Sequence, residues 1–495
     1  MTQQGLNLME TEIELKLFFL PAYKEQLIAE INRLFLAGFQ ADVMLSNGYF
    51  DTEDMQLRRW DMGLRVRGFN DKREQTIKTA GKVVGGIHSR PEYNVDIETD
   101  IPELALFPAH IWPAGADLAD TQAKLNCVFH TDFRRLTWLV TEGTSQIEIA
   151  LDEGIIRSGN REEPLCELEF ELVSGQAGDL LALAEKLISR VPMRLGKASK
   201  AQRGYRLAGL GSKSVLAQLD TVPLPPNCSA AEAFAAMLET ALERWQLLED
   251  AIGQSISDPQ SAAALWARLR TCIGLLEASC RQFGVLTESL QSGFGQIRRA
   301  LVFVDDAIAL SAIAENRDSL FGRRTDAVRW QTEAQNWMGQ ESVAARLESL
   351  WRLPVYGKVQ LELVTLLFGN RLESTMDIRQ LANQMQQASW EDIQKLMPAK
   401  ASTSDFLTVT AALDDALLVG LAYGELYSPE TRRLYRAPWQ DLRRGIDVLR
   451  AYELLGDMAG ADSEMLDWLE DKALSLMHAL QQSYKSALAQ VPYWR

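Results

Sequence analysis

Glu12 and Glu14 stand two positions apart, and Lys16 follows at the same interval. Glu167 and Glu169 repeat the pair later in the chain, with Glu171 in step. Carboxylates paired in this way suit hard divalent cations that keep part of their water, Mg2+ above all. Arg65 and Arg67, again two apart, suit phosphate oxygens, which arginine grips in bidentate fashion, and a lysine such as Lys78 adds a point charge. Together these groups describe a site for a metal-bound polyphosphate.

A spacing of two places these groups on strands, because successive side chains of a strand point to opposite faces. Around Glu12 the other face carries Thr11, Ile13, Leu15 and Leu17, and around Glu169 it carries Leu168, Phe170 and Leu172. Leu64, Val66 and Gly68 alternate with the two arginines, and Ile147, Ile149 and Leu151 alternate with Glu148 and Asp152. Rows of both charge signs have no purpose on solvent faces. They predict about eight antiparallel strands closed into a barrel with a charged, wet interior. Unpaired charges buried dry would cost several kcal/mol each.

Other elements follow in order. Helical spacing covers 23–37, and Asn47-Gly48 reads as a turn. Residues 55–69 read as a hairpin turning at Asp61 to Gly63, followed by a strand over 75–79 and a mobile turn from Gly85-Gly86 to Arg90-Pro91. Strands are expected over 92–98, 129–140, 146–152 and 165–173, then a helix over 180–191 and a cation-rich stretch from Gly196 to Tyr205. Residues 206–228, with Gly209, Gly211 and Pro223-Leu224-Pro225-Pro226, break regular structure and separate two halves, each with its own core. From 229 to 495 helical spacing recurs over 230–252, 262–282, 294–316, 341–352, 356–371, 405–423, 439–457 and 463–489, an all-helical bundle. The fold class is α+β, with domains at 1–205 and 229–495.

The 495 residues carry a net charge of −16, which argues against a nucleic-acid binder. With no run of ~18 apolar residues, no spanning helix is expected, and Met1 to Leu8 lacks a secretory pattern. Five cysteines without metal-ligand spacing fit reduced thiols in the cytoplasm.

The segment Glu12-Ile13-Glu14-Leu15-Lys16 resembles the Glu-x-Glu-x-Lys signature of the CYTH superfamily, the triphosphate tunnel metalloenzymes. Tyr49-Phe50-Asp51-Thr52, Leu64-Arg65-Val66-Arg67, Ile77-Lys78-Thr79, Arg90-Pro91-Glu92 and Glu167-Leu168-Glu169 extend the resemblance over about 1–205. It implies that Glu12, Glu14, Glu167 and Glu169 bind metal, joined by Asp152 at a late-strand acidic position. Lys16, Arg65, Arg67 and Lys78 match phosphate-binding cations, so Glu12, Glu14, Lys16 and Lys78 form the implied catalytic set. Arg90 and one of Arg134 or Arg135 extend the substrate contacts, with Arg135 favoured by lying three residues before Trp138. Lys200 and Lys197 fit a cationic element at the tunnel mouth. Glu10 and Glu171 lie on the right faces without being required, and Asp96, Glu98 and Glu148 stand outside the expected chemistry. The four histidines, His88, His110, His130 and His478, match no motif and read as turn, surface or packing residues.

The second half resembles the CHAD domain, a helical module named for conserved histidines and linked to polyphosphate. Here the expected histidine positions hold Ala267 and either Trp439 or Gln440, while Arg270, Arg443, Arg444 and Arg450 match its cations. Residues 213–495 hold 27 Lys+Arg against 36 Asp+Glu, a net of −9, so weak polyphosphate binding is expected. The two-domain layout implies hydrolysis of inorganic triphosphate to pyrophosphate and phosphate with two divalent ions, Mg2+ or alternatively Mn2+. The alternatives are a class IV adenylate cyclase, a thiamine triphosphatase, or a non-catalytic polyphosphate-binding module. The first two would need a base-binding surface, for which Trp60, Trp112 and Trp138 are the aromatic candidates.

Overall fold

The structure is a computed structural model. It describes residues 10–69, 72–84, 87–211, 216–340, 342–369, 372, 377–398 and 401–495, with the backbone alone for 10–12 and 82–84. It divides into two compact units, one of residues 1–215 with 354–369, the other of 216–353 with 370–495.

Period-two alternation builds the first unit. Its strands are β1 (Glu10–Phe19), β2 (Phe39–Asp51), β3 (Gly63–Phe69), β4 (Lys72–Lys78), β5 (Lys82–Val84), β6 (Ile87–Ile97), β7 (Asn126–Glu142), β8 (Ser145–Ser158), β9 (Arg161–Ser174) and β10 (Met193–Leu195). Neighbours run β10-β1-β9-β8-β7-β2-β3-β4-β6-β5, all antiparallel, and β1 also pairs with β6. That extra pairing closes eight strands into a ring and leaves β5 and β10 as short flanking strands. The apolar half of the alternation packs outward: Leu15, Leu17, Ile147, Ile149, Leu168 and Phe170 are fully buried or nearly so. The amphipathic helices Lys24–Phe35 and Ala177–Ile188 lie on the first unit, burying Leu27, Ile31 and six residues of the second helix.

Three local expectations fail. Asn47-Gly48 lies inside β2, paired with Arg67 and Val66 across to β3, because the ladder on both sides outweighs local turn preference. Residues 56–59 form a single helical turn rather than half a hairpin. Residues 87–91, read as a turn, belong to β6, and Gly85-Gly86 lies outside the described residues. Pro91 is tolerated there although proline normally marks strand edges; its carbonyl still accepts the Thr79 N–H at 3.1 Å.

The second unit is helical: Ala230–Gln254, Pro259–Gln282, Glu288–Ala300, Phe303–Ala314, Ala327–Gln340, Val343–Trp351, Ile378–Leu396, Thr403–Ala422, Pro429–Ala459 and Ser463–Leu488. The expected helix over 294–316 is two helices. The Leu301 N–H is shared between the Ile297 and Arg298 carbonyls, which tightens and ends the first. Helices 327–340 and 378–396 escaped the aliphatic spacing because positions such as Trp330, Ala334, Ala382 and Gln386 carry their buried faces. No helix among the described residues is long and apolar enough to cross a membrane.

One helix, Pro354–Phe368, belongs to the first unit although more than 100 residues of the second precede it. It packs on β10 and on helix Ala177–Ile188. Gln360, fully buried, accepts the Leu195 N–H at 2.9 Å. Gly357 lets the helix approach β10, since a Cβ there would sit 1.8 Å from the Met193 carbonyl oxygen. A chain ended near Leu207 would therefore lack part of the packing of its own first unit.

Candidate active site

The ring encloses a cavity of ≈ 580 Å3. Its wall is charged because the inward half of every alternation is charged. Arg65 and Arg67 on β3, Lys78 on β4 and Arg90 on β6 line it, as do Glu14 and Lys16 on β1, Glu148 on β8, and Glu169 and Glu171 on β9.

Two arginines on this wall have no counterion among the described residues. Arg67 donates to Asn47 Oδ1 at 2.9 Å, and among the described residues neither it nor Arg90 makes an ion pair. Burial, then the guanidinium groups of Arg65 and Arg135, push the Arg67 pKa down to about 9. Glu92 bridges two further cations, accepting from Arg65 Nη2 at 3.2 Å and lying 2.9 Å from Lys78 Nζ.

Deeper in the ring the opposite charges are matched. Arg135 grips Asp152 through Nε and Nη2, both at 2.6 Å, and reaches Glu169 at 2.7 Å. Lys200 Nζ lies 2.8 Å from Asp152 and from Glu167, and 2.9 Å from Glu169. Lys16 lies 2.9 Å from Glu169, and Arg203 donates to Glu167 at 2.8 Å and to Glu163 at 2.6 Å. Arg206 also reaches Glu163, at 3.0 Å, and Lys16 lies 3.7 Å from Glu14, so five carboxylates face five cations. Burial alone would raise the Glu169 pKa, but Lys16, Lys200 and Arg135 hold it well below the usual range. Burial would likewise lower Lys16, and Glu14, Glu169 and Glu167 raise it instead. Asp152, Glu167 and Glu169 bring oxygens within 4.8 Å of one another, as a metal group would.

Local sequence explains how the cations are held. Ser199 caps the helix Lys200–Leu207: Ser199 Oγ accepts the Gln202 N–H at 3.1 Å and Gln202 Oε1 accepts the Ser199 N–H at 3.0 Å. Lys200 and Arg203, three apart, then share one face. Gly204 lets that helix close on Phe129, where a Cβ would meet ring carbons at 2.1 Å. Asp51, fully buried, accepts the Thr52, Leu57 and Arg58 N–H groups and the Tyr205 hydroxyl at 2.8–3.1 Å. It ties this helix to the turn 56–59 that presents Arg58 to the cavity.

A third feature crosses four neighbouring strands. His88 on β6 is opposite Glu14 on β1, Glu14 is opposite Glu171 on β9, and Glu171 is opposite Glu148 on β8. All four line the cavity. Among the described residues neither Glu148 nor Glu171 has an ion pair. Burial, then the Glu148 charge, push Glu171 up to about 7. The folded protein thus holds a proton that the unfolded chain, with a value of 4.5, releases earlier. This contribution to stability is complete below pH 4.5 and is lost as the pH rises towards 7. In EDTA, denaturant unfolding should show stability falling from pH 5 to pH 8 by roughly 2–3 kcal/mol from this group. Glu171→Gln should flatten that slope, and an unchanged slope would show that Glu171 titrates normally.

Of the residues expected from sequence, Glu14, Lys16, Arg65, Arg67, Lys78, Arg90, Arg135, Glu169 and Lys200 line the cavity, with Asp152 and Glu167 joined to them through Lys200 and Arg135. Glu12 lies in β1 opposite Arg90, and its side chain is outside the described residues. Lys197 is not among the lining residues. Arg134 points the other way, pairing with Asp42 at 2.6 Å, which leaves Arg135 as the inward arginine. Trp138 is fully buried with its Nε1 donating to Asn32 at 3.0 Å, and Trp60 packs on Trp112 in an apolar cluster, so none of the three lines the cavity. His88 corrects the reading of the histidines: it is 3% exposed and faces the cavity. The alternation of Glu92 and Asn94, carried back through Pro91, would have found it. Arg203 was also missed, and its signal is the i, i+3 spacing from Lys200.

Residues 10–205 match the CYTH domain family. An inorganic triphosphatase of Haemophilus influenzae is 40% identical over 215 residues, 42% of this chain and 58% of that protein. This chain thus spans less than two thirds of the length of that relative. A Hippeastrum structure described as an adenylyl cyclase with a dominant triphosphatase activity is 21% identical at a TM-score of 0.32, covering 39% of this chain and 95% of its own. The CHAD domain of Ricinus communis is 15% identical at a TM-score of 0.43, covering 57% of this chain and 98% of its own.

Proposed function

We propose, from the CYTH domain at residues 10–205, that this chain hydrolyses inorganic triphosphate to pyrophosphate and phosphate with a divalent metal ion. The observation that carries the reading is a separation of uncompensated charge in one cavity. Among the described residues Arg67 on β3 and Arg90 on β6 make no ion pair, nor do Glu148 on β8 and Glu171 on β9. β3, which carries Arg67, lies four strands from β9, which carries Glu171, across a ring of eight. A polyphosphate alone would satisfy only the arginines, and a metal ion alone only the carboxylates. A metal-bound polyphosphate satisfies both.

Arg65, Arg67, Lys78 and Arg90 bind the phosphate oxygens and hold the chain of phosphates in line, absorbing charge that develops on it. Arg135 and Lys200 are pinned by Asp152, Glu167 and Glu169, which fixes their heads at the cavity wall. The site residues fit a divalent ion: Glu14, Glu148 and Glu171 offer oxygens, and the buried Nε2 of His88 has no partner. Asp152, Glu167 and Glu169 form a second group, already neutralised by ammonium and guanidinium groups. The bound metal supplies charge for the phosphate oxygens and lowers the pKa of water. Phosphate release from triphosphate, ATP, thiamine triphosphate and long polyphosphate with Mg2+ tests the reading. Preference for triphosphate supports it, and preference for either of the others with a base would move the assignment to a nucleotide- or thiamine-directed enzyme.

For the helical unit we infer weak polyphosphate binding. Each arginine expected to hold it has an internal partner. Arg270 and Arg450 share Asp305 at 2.8 and 2.6 Å, Arg443 pairs with Asp414 at 2.6 Å and with Asp447, and Arg444 pairs with Asp441. Asp305→Asn should tighten polyphosphate binding by the full chain about two- to fivefold, measured by calorimetry at physiological salt. Unchanged affinity would show that these arginines do not meet the ligand.

A further inference from the structure

His88 closes one end of the row His88–Glu14–Glu171–Glu148 that runs across β6, β1, β9 and β8. Its ring lies beside the Gly196 backbone. Nε2 is buried and has no partner, and with the proton on Nδ1 it presents a bare lone pair. The side chain is 3% exposed and lines the cavity beside Glu14.

Two cations stand near this lone pair, Lys16 and Arg90, and neither donates to it. Phosphate oxygens are acceptors and would repel it. Lys16 is engaged by Glu169 at 2.9 Å. Glu14, its cross-strand partner, is a carboxylate 3.7 Å from the Lys16 ammonium. A cation placed between Glu14 and His88 satisfies both, and directly opposite residues on neighbouring strands have Cβ atoms about 4.5–5.5 Å apart, close enough to share one ion.

We propose that Nε2 of His88 is a ligand of the divalent ion held by Glu14, so that this site takes a mixed oxygen and nitrogen donor set and prefers Mn2+ to Mg2+. The proposal rests on the metal-dependent reading above. Mg2+ keeps oxygen ligands and its water, whereas imidazole suits transition ions, so one nitrogen donor shifts selectivity without changing the carboxylates.

The test uses the full chain loaded with Mn2+ or Mg2+. Pulsed electron paramagnetic resonance of the Mn2+ form should show coupling to a histidine nitrogen, identified by its change when histidine is labelled with 15N. His88→Gln, which keeps the reach of the side chain but offers an oxygen, should remove that coupling. Calorimetric titrations should show the ratio of Mg2+ to Mn2+ Kd falling at least about tenfold in the same variant. Should His88→Gln fail to fold, the labelled unmodified protein still decides the matter. Mn2+ bound without histidine coupling, or a folded His88→Gln with coupling and ratio unchanged, overturns the assignment of His88. Glu14→Gln separates the two levels. If it loses both ions while His88→Gln changes nothing, the metal reading stands and the His88 ligand falls. If the unmodified protein binds neither ion, with or without triphosphate, both fall.

Discussion

Glu14→Gln should reduce metal-dependent release of phosphate from triphosphate by on the order of 10²–10³-fold while the protein stays folded. The carboxylate sits in the cavity wall between His88 and Glu171, where a divalent ion would be held. Glutamine keeps the shape and removes the charge. Its neighbours lose little: Lys16, 3.7 Å from Glu14, keeps Glu169 at 2.9 Å and Glu167 at 3.8 Å. The unfolding midpoint should therefore shift by less than about 1 kcal/mol in stability, since the lost contact is a long one within a network. Steady-state kinetics over a range of Mg2+ concentrations, paired with denaturant unfolding, measures both. Turnover near that of the unmodified protein would remove Glu14 from the metal site. A collapse of stability alongside activity would make it a structural charge instead.

Arg135→Met has its largest expected effect on stability. Arg135 makes two hydrogen bonds to Asp152, which is fully buried, and one to Glu169. Without it the inner cluster holds Glu14, Asp152, Glu163, Glu167 and Glu169 against only Lys16, Lys200, Arg203 and Arg206. One negative charge is left without compensation in a buried place, which costs about 3–5 kcal/mol. The pH dependence gives an independent reading. Asp152 and Glu169 have lowered pKa values in the folded protein, net of burial that acts the other way. Their contribution to stability is present above the ordinary values of 3.8 and 4.5 and is lost as the pH falls below them. Removing Arg135 weakens that contribution, so the gap between the two proteins should narrow as the pH drops from 7 towards 3. A loss below 1 kcal/mol at pH 7 would mean that Lys200, 2.8 Å from Asp152, neutralises the carboxylate alone.

The alternation of charged and apolar residues determined by itself that Glu14, Lys16, Arg65, Arg67, Lys78 and Glu169 share the inside of a closed sheet. A period of two leaves a side chain only two faces, and the apolar half must claim the outer one. Helical spacing likewise determined the character of residues 229–495. What the pattern could not carry was anything set by contacts distant in sequence. Arg134 and Arg135 are equivalent in a list of residues. The β7–β8 register sets Arg135 opposite Asp152, and the β2–β7 register brings Arg134 towards Asp42. His88 lies in what local chemistry read as a turn, and its ladders with β1 and β5 make it a strand residue opposite Glu14. The helix Pro354–Phe368 has an apolar face like its neighbours in sequence, and no periodicity says what that face will cover. Tertiary structure assigned it to β10 and the first unit, through the close approach at Gly357 and the bond from Leu195 to Gln360. The balance of charge in the cavity was decided in the same way. Composition counts carboxylates and cations, but which of them pair with one another depends on distances of a few ångströms between strands.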